Sequence, residues 1–199
     1  YGTITANADT KKFNLAGSEN IALLFTGETH ATPYANSPQN MLINRGAIIG
    51  PGARGVGVAS WGGRTIILNT GTITGAGYGI QTQDVRDSIL VFGGEISGGT
   101  AAIQTFGGKD RILVKGGEVS GGEYGIQSGG GKDKVLIRGG IVSGGITAIE
   151  TGAGDDKIKV KKGAVSGGMF AIQTGAGDDT LTVDGGTISG KIDMGKGTD

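Results

Sequence analysis

The chain has 199 residues, with 18 lysines and arginines against 18 aspartates and glutamates, 44 glycines, one histidine and no cysteine. The balanced charge offers no basic excess for nucleic acid or an anionic membrane surface. The missing cysteines exclude disulfides and thiolate metal sites, and glycine without a Gly-X-Y period excludes collagen. No apolar run reaches the roughly 18 residues that would mark a bilayer-spanning helix. Aromatic residues make up 5% of the chain, too few for a broad globular core. The β-branched residues are spread evenly, which points to a core assembled repeat by repeat.

In chain order, Gly2-Thr3-Ile4-Thr5 and Ile21-Ala22-Leu23-Leu24-Phe25 read as strands separated by a longer insert. The start at Tyr1 is not a signal peptide, so a leader is expected to have been removed or left out. Residues 27–40 match no strand pattern and hold His30, Pro33, Tyr34 and Pro38; they are expected to form a protruding loop. Leu42-Ile43-Asn44 aligns with Ile67-Leu68-Asn69 at a spacing of 25, and Val58-Ala59-Ser60 takes the place of a later Ile-Gln-Thr.

From residue 80 the spacing is uniform. Ile80, Ile103, Ile126, Ile149 and Ile172 fall 23 residues apart, as do Ile89, Ile112, Val135, Ile158 and Leu181. Val91, Val114, Ile137, Val160 and Val183 keep the same step, and so do Ile96, Val119, Val142, Val165 and Ile188. Gly94, Gly117, Gly140, Gly163 and Gly186 form an invariant column. Alternating inward residues at Ile89 and Val91 define a strand. Gly-rich corners separate it from a strand around Ile96 and another ending at Ile103. Three short strands per coil of about 23 residues give an all-β, right-handed parallel β-helix, the hand following from the rule for parallel connections. The whole chain, 1–199, reads as one β-helix, irregular over 1–40 and regular over 41–199. After Ile188 the coil shortens to Lys191-Ile192-Asp193-Met194, and no polar cap is written at the end. The chain is therefore expected to be part of a longer protein.

Gly175-Ala176-Gly177-Asp178-Asp179-Thr180-Leu181-Thr182-Val183-Asp184-Gly185-Gly186-Thr187-Ile188-Ser189-Gly190 resembles the repeats of autotransporter passenger domains, the exported parts of type V secretion proteins of Gram-negative bacteria. The tail Ile192-Asp193-Met194-Gly195-Lys196-Gly197-Thr198-Asp199 looks like that family's Ile-Asp-x-Gly-x-Gly-x-Asp coil. The resemblance covers residues 41–199 well and the first 40 weakly. The family's C-terminal junction and membrane β-barrel are not in this sequence. The resemblance implies a secreted or cell-surface location. Passenger roles include adhesion, self-association, proteolysis and release as toxins or receptor ligands. It thus implies a non-catalytic binding or adhesion module toward host or neighbouring cells, its partner a host-cell surface protein or glycan. The alternatives are a released effector binding one host receptor in the manner of a growth factor, and a carbohydrate-active β-helix enzyme.

Several columns are candidates for chemistry. Asp87, Asp110, Asp133, Asp156 and Asp179 recur at 23. Stacked carboxylates roughly 5 Å apart repel by about 3 kcal/mol at an effective dielectric of about 20. Lys109, Arg111, Lys132 and Lys134 flank Asp110 and Asp133 and would offset this. In the last coils the acid doubles, and Asp155, Asp156, Asp178 and Asp179 form a candidate Ca²⁺ site. The competing reading has each aspartate cap its corner through its own backbone amides. The doublets also resemble the Asp-Asp of β-helical polygalacturonases, but the Gly-His-Gly and Arg-x-Lys motifs of those enzymes are missing, and with one histidine and no cysteine no catalytic triad can be drawn. No enzyme activity is expected. Gln81, Gln104, Gln127, Glu150 and Gln173 read as an amide ladder. Lys115, Arg138 and Lys161 form a basic stripe, read as a solvated face or a contact for an acidic glycan. Candidate partner contacts are His30 and Tyr34, on the irregular segment, and the column Tyr78, Tyr124, Phe170, which recurs every second coil. Trp61 stands at a corner before Gly62-Gly63.

Overall fold

The computed structural model describes residues 39–199 apart from Pro51 and Asp84; before them it describes the backbone of strands at Gly2–Ala6, Phe13–Ala16, Ile21–Phe25, Glu28–Thr29 and Pro33–Asn36. The described residues are all-β, a solenoid of about seven turns of about 23 residues. One coil shows the plan: Arg111–Val114, Glu118–Gly121 and Tyr124–Gln127 each pair in parallel with the equivalent strand of the coils before and after.

The first sheet has nine strands, from Gly2–Ala6 to Thr180–Val183. The second and third sheets run separately until Ala164–Gln173, a ten-residue strand that passes through both and joins them into one 15-stranded sheet, with Thr187–Asp193 paired onto it. Gly107–Gly108 and Gly130–Gly131 pair at the remaining corner.

Alternation explains the core. In Arg111–Val114 the side chains of Ile112 and Val114 turn inward and are fully buried, and the equivalent residues of neighbouring coils stack on them. Among the described residues 25 core side chains form one continuous cluster from Leu42 to Ile172. Corners need glycine where coils nearly touch. Gly117 has φ +80, and a Cβ there would lie 2.3 Å from the Gly94 carbonyl oxygen below it. That position therefore excludes every side chain, which is why its column is invariant.

The register agrees with the sequence spacing: Leu42 pairs with Ile67, Val58 with Ile80, and Ile89 with Ile112. The strands expected at Gly2-Thr3-Ile4-Thr5 and Ile21–Phe25 are present, the first extending to Ala6, and they pair with each other; the insert expected between them holds a further strand, Phe13–Ala16.

Within 27–40, where a protruding loop is expected, the described residues are strands. Glu28–Thr29 pairs with Ala47 and Ile48, and Pro33–Asn36 pairs with Phe13–Ala16 on one side and with Ala59 and Ser60 on the other. These strands add one more level to the stacked sheets. Pro33 is tolerated because it opens its strand, where a missing N–H costs no ladder bond.

Candidate functional site

The aspartate column lies inside the stack. Asp87, Asp110, Asp133, Asp156 and Asp179 are all buried. Each Oδ1 accepts the backbone N–H of the residue one coil earlier: Asp110 from Asp87 at 2.7 Å, Asp133 from Asp110 at 2.8 Å, Asp156 from Asp133 at 2.7 Å and Asp179 from Asp156 at 2.8 Å. The ladder begins at Thr65, whose N–H meets Asp87, and ends where Asp179 donates to Asp199. Each aspartate therefore caps the neighbouring coil, not its own corner. The bonds are directional and tie consecutive coils together.

Each carboxyl uses only half of its capacity. The Oδ2 atoms of all five have no hydrogen-bond partner, and neither has Thr82 Oγ1. Burial pushes Asp87 up to about 6, Asp110 to about 8 and Asp156 to about 6, and raises Asp133 as well. The hydroxyls of Thr82, Thr105, Ser128 and Thr151 face these carboxyls and pull the other way. Burial outweighs these hydrogen bonds, and Asp110, pushed up to about 8, stays protonated at neutral pH, which removes its repulsion toward Asp87 and Asp133. Lys109 and Lys132 lie exposed on the outer side of the corner.

This geometry also separates the four acids of the candidate Ca²⁺ site. Asp156 and Asp179 face the interior, whereas Asp155 pairs with Lys132 at the surface and Asp178 is exposed. Successive residues of an extended corner point to opposite sides, so a doublet divides its carboxylates between inside and outside. Among the described residues no group of three or more acidic or histidine side chains converges on one point.

The amide ladder is built as the spacing suggests. Gln81 Nε2 donates to Gln104 Oε1 at 2.8 Å, Gln104 to Gln127 at 2.6 Å, and Gln127 to Glu150 at 2.6 Å. Beside it Thr105 and Thr151 donate to the carbonyls of Ser128 and Thr174, one coil on. A second amide contact went unread in the sequence. Asn44 donates to Asn69 at 2.8 Å, and both are buried at positions held by Val91 and Val114 in later coils. The alignment of the two asparagines carried the signal; without a third member it did not register as a ladder.

The outer faces hold the remaining candidates. Tyr78, Tyr124 and Phe170 fall in one column of the third sheet, half-buried, with Ala101 and Thr147 buried between them. Two coils separate successive aromatics, about 10 Å at the strand spacing. Ile146 and Met169, in the column beside them, are 41% and 55% exposed and extend the apolar strip. Glu123 and Glu150 flank Tyr124 and, with its partial burial, raise the phenol above its usual value. The strip thus combines rings, an amide row and carboxylates. Sequence reading found the rings and missed Ile146 and Met169, because their column changes identity from Thr100 and Glu123. Tyr34 belongs to the strand Pro33–Asn36, which pairs into the same sheet, and His30 lies outside the described residues. Trp61 is an exposed corner residue.

The fold defines a class, the parallel β-solenoids. No protein family, curated protein or solved structure matches the chain.

Proposed function

We propose that the chain is a stretch of an autotransporter passenger, exposed on or released from a bacterial cell, and that it acts as a non-catalytic binding module toward a host-cell surface protein or glycan. The observation that carries this reading is the third-sheet strip. Tyr78, Tyr124 and Phe170 stand in register at a two-coil interval, partly open to solvent, along a scaffold whose core is continuous. Aromatic side chains that are large, rigid and half-open contribute most to protein contacts, and their faces equally suit the apolar faces of sugar rings. The exposed Glu123 beside Tyr124 supplies a carboxylate for orientation. The columns that first suggest acid–base chemistry have a structural use, since the aspartates hold successive coils together. The resemblance of the last coils to passenger repeats supports the location.

The test is saturation binding of labelled protein to epithelial cells. The parent is expected to attach saturably. Tyr78→Ser/Tyr124→Ser/Phe170→Ser is expected to keep its β-type circular dichroism and lose about tenfold or more in affinity. Undiminished attachment of the folded triple variant would remove the strip from the proposal.

A further inference from the structure

The zero formal charge conceals a strongly basic face. Among the described residues no lysine or arginine is buried, whereas five acidic side chains, the aspartate column, are inside the stack, so the described surface carries more positive than negative charge. The excess is concentrated on the outer face of the first sheet. Arg111, Lys134 and Lys157 pair in register to form one row of cations along the stack, all exposed. Four residues further along each strand, Lys115, Arg138 and Lys161 form a second row, also exposed. The rows are about 13 Å apart, and within each the steps are about 4.8 Å.

Two features mark these rows as more than solvated lysines. Elsewhere the chain sets opposite charges on adjacent coils, as in Lys132 with Asp155 and Lys159 with Asp184 at 2.7 Å. The two rows instead place like charges on three successive coils. Each adjacent pair is unfavourable by about 1 kcal/mol in water; among the described residues the rows make no ion pair of their own, and only Lys161, at the end of the second row, has a carboxylate nearby, Asp184, which is held by Lys159. Between the rows the floor is apolar on the first two coils, where Leu113 and Leu136 are only 7% exposed, and on the third Lys159 takes the same register position and pairs with Asp184. At the start of the second row the Lys115 ammonium sits over the Phe92 ring, 5.0 Å from its centre.

We infer that this face binds a linear anionic polysaccharide, laid along the stack with its sulfates or carboxylates between the two cation rows. The inference rests on the reading of the chain as a binding module and names a partner class on a second face. A single extended chain fits between rows about 13 Å apart and meets one pair of cations per coil. The sunken leucines present no protruding apolar group to enter a lipid layer. The one aromatic ring at the rows lies under Lys115, so no open platform for unpaired bases is offered there.

The experiment measures retention on immobilised heparin at about 0.15 M salt, with polygalacturonate, neutral dextran, duplex DNA and phosphatidylserine vesicles as competitors. Heparin or polygalacturonate should compete, and dextran should not. Lys134→Gln/Arg138→Gln, both exposed, should keep the parent's melting temperature and bind heparin about tenfold more weakly. Lys134→Glu/Arg138→Glu should abolish retention. The triple aromatic variant should still bind heparin whatever becomes of its attachment to cells, so failure of the strip and failure of this face are read separately. No retention of the parent, retention unchanged in the folded double variants, or equal competition by DNA or vesicles would overturn the inference.

Discussion

At the scale of single residues the aspartate column makes the chain's stability depend on pH. Unfolded aspartates titrate near 4, whereas burial lifts Asp87 and Asp156 to about 6 and Asp110 to about 8. The folded state therefore holds more protons than the unfolded state through that interval, and its stability falls as pH rises. The contribution is complete below about pH 4 and gone once Asp110 ionises above about 8. Thermal melts should show a higher melting temperature at pH 5 than at pH 8. Asp110→Asn keeps an acceptor for the Asp87 N–H and carries no charge, so it should flatten the decline on the alkaline side. A melting temperature that rises from pH 5 to pH 8 would contradict the buried, protonated ladder. Phe106 offers a second test at this scale. It is the only described non-glycine residue at positive φ, +61°, in the column held by Gly129, Gly152 and Gly175 in later coils. The left-handed conformation costs an L-residue about 1–2 kcal/mol. Phe106→Gly should be neutral to stabilising by about 1 kcal/mol in urea titrations, since glycine's greater freedom when unfolded offsets part of the gain.

At the scale of elements, strand and corner place different demands on sequence, and that difference decided what was legible. The inward pairs, such as Ile112 and Val114, announce themselves because burial admits few residue types and the coil repeats them every 23 residues. Gly117 was legible for the same reason at the corner. Val114→Asp would bury an unpaired charge in the continuous core and should leave the chain unfolded at temperatures where the parent is folded. Gly117→Ala should cost about 2 kcal/mol or more, because the left-handed φ and the carbonyl 2.3 Å away act together. Pro33–Asn36 was not legible as a strand: its pairing is supplied by coils on both sides, and its proline and asparagine mask that. The inter-coil direction of the aspartate bonds was also hidden. Spacing shows which residues stack, but not which backbone amide a carboxylate faces.

At the scale of the molecule, the solenoid is a ruler. Its coils are nearly interchangeable inside and differ on the outside, where a column of rings marks the third sheet and two rows of cations mark the first. The column of rings was visible in the sequence as a two-coil period, and the row Lys115, Arg138 and Lys161 as a basic stripe; the parallel row Arg111, Lys134 and Lys157 was obscured because its first two members read as partners of the neighbouring aspartates. If recognition depends on the interval between Tyr78, Tyr124 and Phe170, the coil can be changed without harming the fold. Removing residues 124–146 joins Glu123 to Thr147, which occupies the same register position as Tyr124. The shortened chain should fold, because every remaining strand keeps an in-register neighbour, and it should melt cooperatively close to the parent. It retains Tyr78 and Phe170 but lacks the ring between them. The measurement that bears most directly on the proposed function is the binding isotherm of this folded variant on epithelial cells, beside that of the parent. The account predicts an affinity about tenfold or more below the parent's; a folded variant that binds as tightly as the parent would contradict it.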